Sequence, residues 1–153
     1  AIHYIDMFAW WSNDTIVDID ISSLEPDWFR AKRDGFWEVA GVIKIVSARG
    51  NTMILECNRE YAKTIINLSQ GLTSWIIDES LCCATRNDGF KISGIVPLQS
   101  EITGKLVESI IQEGVCGLPD LKESASIHSL FLGSLTHHWH KHSKNSSSLL
   151  QIT

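Results

Sequence analysis

The stretch Thr15-Ile16-Val17-Asp18-Ile19-Asp20-Ile21 reads as a β-strand on its alternation alone. Val17, Ile19 and Ile21 fall on one face of an extended chain, and Asp18 and Asp20 on the other. One face is then buried and the other wet, as in an antiparallel sheet backed on one side only. The same period gives Asp18 and Asp20 a plain role, a solvated strand face, ahead of a D-x-D metal pair.

Downstream, further strands alternate with helical patterns. Phe36 to Ala48 and Thr52 to Cys57 flank the turn Arg49-Gly50-Asn51 and form a hairpin. Leu72 to Ile77 reads as a strand. Leu81 to Thr85 and Phe90 to Val96 enclose Asn87-Asp88-Gly89, a strong hairpin signal, and Pro97 closes the second of them. Upstream, Ile2 to Trp11 is dense in β-branched and aromatic residues and is expected to be a strand.

Four helices are expected. One starts at Ser23-Leu24-Glu25-Pro26, runs to Lys32 and Arg33, and stops at Gly35. A second runs from a cap at Asn58 over Arg59 to Ser69, closed by Gly71, with Glu60 and Lys63 as a surface ion pair. Glu101 to Glu113 is amphipathic through Ile102, Leu106 and Ile110. The last opens at Pro119-Asp120 and places Ile127, Leu130, Phe131, Leu135, His138 and Trp139 at helical spacing. The pattern predicts an α+β fold, a mostly antiparallel sheet with about four helices packed mainly on one side. A single domain over 1–142 and a polar, serine-rich tail over 143–153 follow.

At 153 residues the chain is long enough for a real core, and its 44% apolar content suits one. A formal charge of −5 speaks against direct nucleic-acid binding, which needs a basic stripe. No apolar run is long enough to span a bilayer, and no signal-peptide pattern opens the sequence. Cys57, Cys82, Cys83 and Cys116 show no disulfide-framework spacing and are read as reduced thiols in a cytoplasmic protein. Phosphate loops, dinucleotide fingerprints and serine nucleophile elbows are all missing.

Two clusters invite a chemical reading. In Thr136-His137-His138-Trp139-His140-Lys141-His142, His138 and His142 share a helix face within reach of one metal ion. The further ligands of a built site are lacking, so only adventitious nickel or zinc is expected there, and no cofactor. Imidazoles at a helix C-terminus are also favoured by the helix dipole. Cys82, Cys83 or Cys116 with a histidine base could make a nucleophile, but no local context marks an activated thiol.

The first twenty-nine residues hold six carboxylates (Asp6, Asp14, Asp18, Asp20, Glu25, Asp27) and no Lys or Arg. Phe8, Trp10, Trp11 and Trp28 interleave with them. A one-signed field set with aromatic anchors attracts and grips a basic protein. Asp14, Asp18, Asp20, Glu25, Asp27 and Trp28 are accordingly the expected partner-binding residues.

In the run Asp18 to Trp28, and in its size, acidity and tryptophan content, the chain resembles the immunity proteins that bacteria pair with polymorphic or contact-dependent toxins. The resemblance implies a protein-binding inhibitor that caps the active site of a basic toxin, often a nuclease. Two other classes stand beside it: a small enzyme with dispersed Cys, His and Asp residues, and a regulatory module holding a small ligand, possible as a homodimer through an exposed strand edge.

Overall fold

A computed structural model describes residues 1–60, 64–95, 97–115, 117–143 and 150–152. The fold is α+β, with two antiparallel sheets and three helices among these residues. The chain divides into two compact units, Ala1–Glu60 with Pro119–Thr153, and Tyr61–Leu118. No described helix is long and apolar enough to cross a membrane.

The first unit opens on helix α1 (Ile2–Ser12), where a strand was expected. Strand propensity loses here to helical spacing. Ile2, Ile5, Phe8 and Ala9 recur on one side and pack into the core, with Ile5 fully buried, while Trp10 and Trp11 stay exposed. Asn13 ends the helix in the left-handed conformation.

Strand β1 (Ile16–Arg30) then pairs with β2 (Trp37–Ser47), which pairs with β3 (Thr52–Cys57). The helix expected from Ser23 does not form; the strand continues through it. Gly35, expected as a helix stop, instead lies in the β1–β2 turn at φ +81°.

β1 has 15 residues against 11 in β2. The surplus is absorbed at three irregularities, between Ile16 and Asp18, Asp20 and Ser23, and Leu24 and Trp28. These bulges restore a period that the residue numbers conceal. Ile16, Ile19, Leu24 and Trp28 stand opposite Ser47, Ile45, Gly41 and Val39, all on one face of β2. Across β2, Gly41, Ile43 and Ile45 meet Cys57, Leu55 and Met53. This inner face carries the buried core with α1 and with α3 (Leu121–His142), through Phe131 and Leu135. Val17, expected inward, occupies a bulge and is 53% exposed.

Gly41 is needed where β1 bulges. Its φ is +125°, and a Cβ there would lie 2.6 Å from the Leu24 Cα and from the Ser23 carbonyl oxygen.

Helix α3 begins with a reciprocal cap. Asp120 accepts from the Glu123 backbone N–H at 2.7 Å, and the Glu123 carboxylate accepts from the Asp120 N–H at 3.0 Å. Past its end, Gln151 accepts a bond from the Trp37 N–H at 2.8 Å. Leu150 and Ile152 pack against the core.

In the second unit, β4 (Ile65–Gln70), β5 (Thr73–Asp78), β6 (Cys83–Arg86) and β7 (Lys91–Ser93) form an antiparallel meander. The helix expected over Arg59 to Ser69 is replaced by β4 from Ile65 onward, with Lys63 outside the described residues. Asn87-Asp88-Gly89 makes the expected turn. Asp88 accepts from the Arg86 guanidinium at 2.6 and 2.9 Å and from the Phe90 N–H at 3.0 Å, which holds its carboxyl down at about 2. Helix α2 (Gln99–Glu113) follows and ends at Gly114. Every fully buried apolar residue described belongs to the first unit.

Candidate partner-binding face

The acidic residues singled out in the sequence separate into two sets. Asp14 is a structural acceptor. It takes the Thr15 N–H at 2.9 Å and the Arg49 N–H at 2.8 Å, tying the start of β1 to the β2–β3 turn. A further bond from Ser47 and these amides hold its carboxyl below the ordinary range. Glu25 is paired with Arg59, whose Nε and Nη2 both reach one carboxylate oxygen, at 3.0 and 2.6 Å. Arg59 also lies over the Phe29 ring at 5.2 Å.

Trp28 faces inward. Its Nε1 donates to Nδ1 of His138 at 3.1 Å, and its ring meets that of Trp139 edge-on at 5.2 Å. It is part of the support beneath the face, where an outward anchor was expected. Trp10 and Trp11 are the exposed indoles of this region.

Asp18, Asp20 and Asp27 remain at the surface. Asp27 stands in the third bulge. Asp18 and Asp20 lie on the outer face of the sheet, opposite Val46 and Lys44, and those residues face Thr52 and Ile54 of β3. The next row holds Ser23, Val42 and Glu56. Lys44 thus stands at the middle of the face, flanked along β2 by Val42 and Val46 and across to β3 by the 57% exposed Ile54, with carboxylates on both outer strands. The Asp20 carboxylate accepts from the Ser22 N–H at 2.8 Å, which braces the second bulge. That bond first, then the charge of Lys44, keeps Asp20 ionised below its ordinary value.

The histidines do not converge on a metal. His138 is buried, and its Nδ1 is occupied by Trp28. Its ring lies 4.5 Å from that of His142, centroid to centroid. Among the described residues no group of three His, Cys, Asp or Glu side chains could hold a metal ion. Cys57, Cys82 and Cys83 are free thiols, and burial pushes the Cys57 thiol up, opposite to what a nucleophile requires. Cys116 lies outside the described residues.

Sequence reading missed a cavity of about 410 Å³ in the first unit, walled by Trp28, Trp37, Val39, Phe131, Leu132 and Leu135 among others. No spacing rule joins these positions, because the bulges of β1 and the seating of α3 create the space.

Searches of protein-family models, of curated proteins and of solved structures find no match to this chain.

Proposed function

We propose that this chain is a protein-binding inhibitor of the immunity type, which caps a basic partner such as a toxin domain with the outer face of its first sheet. The observation that carries the reading is the layout of that face. Val42, Val46 and Ile54 surround Lys44, with Asp18 and Asp20 on the β1 margin and Glu56 on the β3 margin. Protein interfaces outside obligate dimers mix apolar and charged area in this way. Carboxylates on the rim steer a cationic partner to the surface before the apolar contact forms.

Asp18, Asp20 and Asp27 are the contact residues in this reading. Asp14 and Trp28 brace the sheet that carries them, and Glu25 is paired at the surface with Arg59. The net charge of −5 favours a basic protein over nucleic acid. The free thiols suit a reducing, cytoplasmic setting.

The test is association with the purified product of the gene adjacent to this one, at low and at physiological salt. Replacing Asp18 and Asp20 together by Lys should slow association by about tenfold or more at low salt and leave the fold intact. No binding, or an association rate untouched by charge reversal, would remove this reading.

A further inference from the structure

The cavity of the first unit is lined by Trp28, Val39 and Ile43 of the sheet and by Phe131 and Leu135 of α3. At about 410 Å³ it falls within the ~300–1,000 Å³ typical of small-molecule sites. Its walls are chiefly aromatic and aliphatic, and the polar atoms around them are largely committed elsewhere. Trp28 turns its only polar atom to His138. The Trp37 N–H is bonded to Gln151. The Cys57 thiol is kept protonated by burial.

Charge narrows the choice of occupant. The charged groups on its wall are of both signs, the Ala1 amino group and the Glu38 carboxylate, and no Lys or Arg side chain adds to them, so neither an anion nor a cation is favoured overall. Organic cations are further disfavoured. Two of the lining rings already carry guanidinium groups, Arg59 over Phe29 at 5.2 Å and Arg30 over Trp37 at 5.9 Å. Polar groups that a ligand could address are Asn58 and His128, the latter 3.7 Å from the Asp6 carboxylate.

We propose that this cavity binds a small, flat, electrically neutral hydrophobic molecule of one or two rings, its polar end directed to Asn58 and His128. Trp28 and Phe131 supply aromatic contact for it.

Titration of the full chain with the neutral two-ring fluorophore 6-propionyl-2-dimethylaminonaphthalene should give saturable binding at one site. Leu132→Trp, a change at an exposed position on the cavity wall, should weaken it about tenfold with the circular dichroism spectrum unchanged. Dodecanoate should not displace the dye. Cysteine mapping on the unmodified chain gives an independent readout: saturating dye should slow iodoacetamide labelling of Cys57 and leave Cys82 and Cys83 as they were. Non-saturable dye uptake, equal affinity in a folded Leu132→Trp variant, displacement by dodecanoate, or unprotected Cys57 would each overturn the proposal.

Discussion

The indole N–H of Trp28 donates to Nδ1 of His138 across 3.1 Å, joining β1 to the last turns of α3 over 110 positions of sequence. Because an indole can only donate, Nδ1 must be unprotonated. The proton of the neutral ring then sits on Nε2. One neutral imidazole thus holds the tryptophan of β1 against α3.

Acid should therefore loosen the first unit. Burial, reinforced by His142, Lys141 and His137, holds the His138 pKa below its ordinary 6.5. In the interval between that depressed value and 6.5, the unfolded chain takes up a proton that the folded chain refuses. Stability is complete above about pH 6.5 and declines as the pH falls through that interval. Urea midpoints measured from about pH 7.5 down to 5 should drop, and a flat profile would contradict the assignment.

Trp28→Phe should cost about 1–3 kcal/mol, since Nδ1 of a buried histidine loses its donor and part of the ring packed on Trp139 is removed. Asp18→Lys lies on the solvent face and should stay within about 0.5 kcal/mol of the parent, whereas Asp20→Lys also removes the bond that braces the second bulge and should cost about 1 kcal/mol. Denaturant melts of the three variants check this contrast, and equal losses would mean that the two roles are wrongly divided.

Gly41→Ala places a methyl group 2.6 Å from two backbone atoms of β1, at a φ of +125°. A loss of about 2 kcal/mol or more is expected from the strain and the forced shift of the strand. Gly50→Ala serves as the comparison: it has φ +83° but no atom within 4 Å of its Cβ, so its loss should be smaller.

In the second unit, carbon-detected NMR should find the Asp88 carboxyl titrating at about 2. Hydrogen bonds from Arg86 come first among the causes, followed by the Phe90 amide. Arg86→Gln should return the midpoint most of the way to about 3.9. A midpoint that does not move would show that the amide alone sets it.

Much of this fold is legible where local pattern and tertiary demand agree. The β2–β3 hairpin, the Asn87-Asp88-Gly89 turn, α2 and α3 all carry their own signals. The failures have specific causes. Ile2 to Trp11 has strand composition but helical spacing, and burial of Ile5 and Phe8 decides between them. Ser23 to Arg33 has a good helix start and stop, yet two bulges let it continue as strand and keep Leu24 and Trp28 inward. At the candidate face, Asp18 and Asp20 were readable from alternation. The inward turn of Trp28 was not, because its partner His138 is distant in sequence. The pairing of Glu25 with Arg59 was hidden for the same reason.

The surplus residues of β1 also settle where the first sheet can grow. A margin kinked three times offers no straight row of amides and carbonyls to another strand. The opposite margin, along Thr52–Cys57, pairs residue for residue with β2 and is regular. Any added strand, from a second copy or from a partner, would be recruited there and extend the apolar and acidic rows sideways in register.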